Sequence, residues 1–183
     1  MKKFIKSTVV IASMTVAVGV IAADGTVTIN GAITDTTCDI SVNGGSKDAT
    51  VVLPTVSVSS LAAAGDTAGS TPFNFKLTGC SGTSLSTAIA RFENGAFVDT
   101  NTGRLKINSS VTDPATNVQV QLLNSELNPI VAGETAENSS QNDVPVSIAS
   151  GSGTLNYYAR YYATGQSTAG AVVSQVDYTI VYQ

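Results

Sequence analysis

Residues 174–183, Ser-Gln-Val-Asp-Tyr-Thr-Ile-Val-Tyr-Gln, close the chain on an alternating pattern. Val176, Tyr178, Ile180 and Tyr182 share one face, opposite Gln175, Asp177 and Thr179, the period-two signature of a half-buried strand. The run stops one residue short of the carboxyl terminus. A core strand in that place is expected to keep an uncovered outer edge, and such an edge invites pairing with another chain.

The same period recurs upstream. Pro72-Phe73-Asn74-Phe75-Lys76-Leu77 alternates and runs into Cys80, and 155–162 alternates across four tyrosines. There Tyr157 and Tyr161 face one side, Tyr158 and Tyr162 the other. Further strands are expected over 50–53, 87–92, 104–107, 117–123 and 144–148, and only 57–64 suits a helical turn. Turn clusters such as Asn43-Gly44-Gly45, Asn94-Gly95 and Asn101-Thr102-Gly103 separate them. Near the start, Val27, Ile29, Gly31 and Ile33 alternate with Thr26, Thr28, Asn30, Ala32 and Thr34. Short strands with turn signals at this spacing predict an all-β, immunoglobulin-like sandwich in one domain.

Composition narrows the function. Of 183 residues, 43% are hydrophobic and 12% charged, with no His and no Trp. The charged share is about half the usual ~25%, which disfavours surface helices. Without His, the commonest general base and metal ligand are both missing. Nine Lys+Arg against 13 Asp+Glu leave no basic face for nucleic acid. Gly151-Ser152-Gly153 lacks the nucleophile-elbow pattern, and no His exists to activate its serine. Neither an enzyme nor a cofactor is expected.

The first residues read as a secretory leader. Lys2, Lys3 and Lys6 precede an uncharged apolar stretch over 7–21, and small Ala22 and Ala23 follow. Cleavage is expected after Ala22, with Ala23 the second choice, giving a signal peptide over 1–22. Loss of the three lysines takes the formal charge from −4 to −7. Export through an oxidising compartment makes Cys38 and Cys80, the only cysteines, a structural disulfide. A redox or metal pair would need closer spacing or additional ligands. The alternating segment before Cys38 has two readings: it pairs within its own sandwich, or it pairs with the open edge of another chain.

Several stretches together resemble the structural subunits of bacterial chaperone–usher fimbriae, the type 1 pilin family. They are Ala23-Asp24-Gly25-Thr26-Val27-Thr28-Ile29-Asn30-Gly31, Pro72-Phe73-x-Phe75-x-Leu77-x-x-Cys80, Ala115-Thr116-Asn117-Val118-x-Val120-Gln121-Leu122-Leu123, and Ala159-Arg160-Tyr161-Tyr162-Ala163-Thr164-Gly165. Gly170, fourteenth from the end, and the close Tyr182-Gln183 complete the pattern. The resemblance implies the pilin fold, an incomplete immunoglobulin-like sandwich completed by a donor strand from another chain. It implies a donor-strand arm over 23–33, with Val27, Ile29 and Ile33 filling pockets and Gly31 at a shallow point, and a pilin domain over 34–183. It assigns Gly170, Val176, Tyr178, Ile180 and Tyr182 to the last strand and to chaperone capture.

The implied partners are a periplasmic chaperone, an outer-membrane usher, and identical or related pilin subunits in a homopolymer. The implied setting is an extracellular cell-surface fimbrium reached through the periplasm, serving adhesion and biofilm formation. The arm before Cys38 is short, as in minor adaptor subunits near a fibre tip, whereas the C-terminal half resembles a major rod subunit. No room is expected for the extra lectin domain of a tip adhesin. From a different class, the rival is a secreted β-sandwich binding a carbohydrate through its tyrosines.

Overall fold

The computed structural model describes residues 31, 33–82, 86–133 and 141–183. Seven strands and one 3-10 turn follow in the order β1 (Thr37–Val42), the turn (Val58–Leu61), β2 (Thr67–Ser81), β3 (Thr87–Phe92), β4 (Val118–Leu123), β5 (Val146–Ser147), β6 (Gly153–Ala163) and β7 (Tyr178–Tyr182). They form a four-stranded sheet, β1-β2-β6-β4, and a three-stranded sheet, β5-β3-β7, with every strand pair antiparallel.

Alternation sends one row of each strand into a shared core. On β6, Leu155, Tyr157, Ala159, Tyr161 and Ala163 are buried, while Tyr158, Arg160 and Tyr162 are half-buried on the outer face. On β2, Phe73, Phe75 and Leu77 are buried beside exposed Lys76. These side chains meet Ala88, Ala90 and Phe92 of β3 from the other sheet. Phe92 stands edge-on to Tyr157 at 5.2 Å, a favoured aromatic geometry.

The expected strands over 87–92, 117–123 and 155–162 are present within a residue or two. Elsewhere the structure differs. Residues 50–53 run extended without a ladder, and 104–107 contributes only bridges from Leu105 to Val98 and Val120. β1 had no expected counterpart, although Cys38, Ile40 and Val42 alternate along it. β2 begins at Thr67, before the expected start, and its register shifts between Ala68 and Thr71. Gly69 sits there at φ 67°, a left-handed conformation that glycine adopts without a Cβ clash. The alternating segment over 25–34 lies largely outside the described residues. Of those described, Gly31 and Ile33 are exposed.

Candidate functional site

Every sheet edge must be paired, covered or left open, and the four edges here are β1, β4, β5 and β7. The β4 edge is covered. Val120 exchanges both backbone bonds with Leu105, at 2.8 and 2.9 Å, and Ile130 donates to Leu122 at 2.9 Å.

On the other sheet, β5 covers only Thr87 and Ala88 of β3, and buried side chains close the rest. Ala90 donates its N–H to the Tyr157 hydroxyl at 3.2 Å. The Gln141 side-chain amide accepts from Phe92 N–H at 3.0 Å and donates to its carbonyl at 2.9 Å, taking the place of a neighbouring strand. Burial pushes the Tyr157 phenol up to about 12. Beside them Arg91 pairs with Asp143 at 3.0 Å. Burial raises the Asp143 carboxyl above its ordinary value, and the Arg91 charge opposes that rise.

β7 is different. Gln183 and Thr87 exchange both backbone bonds, at 2.8 and 2.9 Å. Antiparallel alternation then turns the N–H and C=O groups of Tyr182, Ile180 and Tyr178 away from β3. No described strand pairs with that outer edge. The outer edge of β1 is likewise unpaired, and the two edges face each other. Cys38 on β1 donates its N–H to Oη of Tyr182 at 3.1 Å, and Tyr178 Oη donates to the carbonyl of Lys47, just beyond β1, at 2.8 Å.

Between these edges lies an apolar groove. Cys38 and Ile40 from one side, with Val176, Tyr178, Ile180 and Tyr182 from the other, are half-buried and packed against the core without being covered. Phe75 forms part of the floor, its ring centroid 4.4 Å from that of Tyr178. Inward-facing Val172 extends the row, so the groove follows residues 172–182. At its far end a cavity of about 320 Å³ is lined by Leu61, Ala115, Val118, Tyr161, Gly170 and Val172. Gly170 is required by close approach: a Cβ would lie 2.5 Å from the Ala115 nitrogen and 2.6 Å from the Asp113 carbonyl oxygen.

The structure therefore brings Val176, Tyr178, Ile180 and Tyr182 together on one wall, with Gly170 at its end. It joins Cys38 to Cys80 in a disulfide. Val27 and Ile29 lie outside the described residues, while Gly31 has open space around it and Ile33 is fully exposed. The tyrosines divide as their alternation predicts, with Tyr157 and Tyr161 in the core. On the outer face, the Arg104 guanidinium already covers the Tyr162 ring at 3.7 Å, which takes away one stacking platform a sugar would use. Ile40 and the closing side chain Gln141 escaped sequence reasoning. The alternation of Cys38, Ile40 and Val42 before Asn43-Gly44-Gly45 signals the first; nothing local signals the second.

Comparison with known proteins places this sandwich in a family. The family model described as FimA, type-1 fimbrial protein, A, matches residues 53–183. The chain belongs to the type 1 fimbrial protein family. It is 51% identical over 164 residues to the major fimbrial subunit SMF-1 of Stenotrophomonas maltophilia, covering 88% of this chain and 94% of that one. It is 43% identical over 167 residues to the F17 fimbrial protein of Escherichia coli, covering 89% of each. Among solved structures, the Burkholderia pseudomallei antigen and type I fimbria protein BPSL1626 superposes with a TM-score of 0.54 at 25% identity, over 81% of this chain and 97% of that one. This protein is accordingly a fimbrial subunit of a non-enzymatic, pilin-fold family.

Proposed function

We propose that the groove between β1 and β7 takes up residues 23–33 of another copy, and that repetition of this exchange builds a surface fibre. The observation that carries the reading is the asymmetry of the edges. Bridges and buried side chains close β4 and β3, whereas β1 and β7 face each other across uncovered apolar side chains. Lengths agree as well. The arm has 11 residues, as does the groove-lining run over 172–182, about 36 Å at ~3.3 Å per residue. Burying Val27, Ile29 and Ile33 contributes about 5–9 kcal/mol before ordering costs, beside the backbone ladder along β7. Antiparallel entry suits an otherwise antiparallel sandwich.

In this reading residues 1–22 direct export and are removed. A periplasmic chaperone lends a strand to the open groove, and an outer-membrane usher exchanges it for the next subunit's arm. The product is an extracellular fimbria serving adhesion and biofilm formation. The subunit takes the rod position, in keeping with its 51% identity to a protein named as a major fimbrial subunit.

Deleting Ala23 to Asn30 tests the reading. The shortened subunit accepts a strand but cannot donate one, so it cannot be added to the open groove of the subunit before it. Electron microscopy should show fibres lost at normal subunit abundance by immunoblot. Long fibres from the deleted form would return the arm to its own sandwich.

A further inference from the structure

The contact between Cys38 and Tyr182 joins two strands that do not pair. The Cys38 N–H reaches Oη of Tyr182 at 3.1 Å, across 144 positions of sequence. That N–H therefore points away from β2, along the edge that a strand filling the groove must meet. It has one hydrogen, so the phenol and an incoming backbone carbonyl compete for it. The Tyr182 ring belongs to the groove wall, packed against the core. Only its hydroxyl is in dispute.

We infer that the Tyr182 hydroxyl is a latch on the empty groove, holding the Cys38 N–H until a carbonyl of the incoming strand displaces it. The inference rests on the strand-exchange reading and adds its regulation. While the groove is empty, the latch leaves no orphan donor on the β1 edge, which lowers the edge's capacity to recruit unrelated strands. On strand entry one hydrogen bond replaces another, so the latch slows entry more than it weakens the final complex. Tyr178 offers the contrast. Its hydroxyl donates to the Lys47 carbonyl at 2.8 Å, and a carbonyl with two lone pairs can accept a second donor. That contact does not compete with a strand.

The test uses the full chain, a fluorescently labelled synthetic peptide of residues 23–33, and the variants Tyr182→Phe and Tyr158→Phe. Stopped-flow fluorescence should show Tyr182→Phe taking up the peptide roughly two- to ten-fold faster than wild type, the range expected for one neutral hydrogen bond. Tyr158 lies on the outer face of β6, away from the groove, and the Tyr158→Phe rate should match wild type. Amide hydrogen exchange gives a second readout: Cys38 should exchange faster in empty Tyr182→Phe than in empty wild type, and equally slowly once peptide is bound. Equal uptake by wild type and Tyr182→Phe, or equal acceleration by both variants, overturns the latch alone. No uptake by any of the three overturns strand exchange and the latch with it.

Discussion

The hydroxyl of Tyr157 stands against the main chain of Ala90, accepting its N–H at 3.2 Å where β5 no longer covers β3. A core aromatic thus does a strand's work, and it ties alkaline stability to one phenol. Burial pushes the folded Tyr157 phenol up to about 12, above the ordinary tyrosine value of about 10. Between these values the unfolded chain has lost the proton and the folded chain keeps it, so stability falls as pH rises. Stability present below pH 10 should decline by about 2–3 kcal/mol by pH 12 through this group. Tyr157→Phe should cost about 1–3 kcal/mol at pH 7, from the orphaned Ala90 N–H, and should flatten the alkaline decline. Urea denaturation at pH 7, 10 and 11.5 measures both. An unchanged alkaline slope in the variant would assign the decline to another group.

Gly170 gives a prediction of a different kind, because the atoms facing it are backbone. Ala171 donates to the Asp113 carbonyl at 2.7 Å, and Ala115 donates to the Ala171 carbonyl at 2.9 Å. A methyl group on residue 170 would force these segments apart and break both bonds. Gly170→Ala should cost about 1–3 kcal/mol and lower the Tm by roughly 3–10 °C. Calorimetry on the purified chain reads it directly, and a Tm within 1 °C of wild type would show that the two segments have room to separate. The family resemblance links this glycine to chaperone capture; the packing gives it a role at the end of the groove before any partner arrives.

Residues differ in how much of their role the sequence carries. Phe73, Phe75 and Leu77, or Val176, Tyr178, Ile180 and Tyr182, declare themselves because burial alternates with a period that needs only neighbours to read. The cysteines are equally plain, being the only two in a chain whose first residues read as a secretory leader. Gln141 is the opposite case. Nothing around it predicts that its amide will meet Phe92, 49 positions away, since that pairing exists only once two distant segments are side by side. The same holds for Gly170 against Asp113. The strand expected over 104–107 does not form, for a related reason. Its alternation is sound, but only Leu105 forms bridges there, to Val98 and Val120, and isolated bridges do not make a ladder.

The alternation along the last eleven residues of the groove wall sets the final prediction. Ile180 faces inward, half-buried among the core's outer members, while Val173, 47% exposed, faces solvent. In the proposed exchange an incoming strand would lay its apolar row against the first and would not reach the second. Ile180→Asp should therefore abolish peptide uptake, because binding would bury an unpaired carboxylate, at a cost of several kcal/mol. While the groove is empty, water still reaches that position, so the folded subunit should persist with a modest loss of stability. Val173→Asp adds the same charge to the same segment and should leave uptake within about two-fold of wild type, as surface substitutions do. Titrating both variants with the labelled peptide of residues 23–33, after checking each fold by circular dichroism, separates the faces. Equal loss in the two variants would mean that charge, rather than the inward row, governs strand capture. Unimpaired uptake by Ile180→Asp would place the strand somewhere other than this groove.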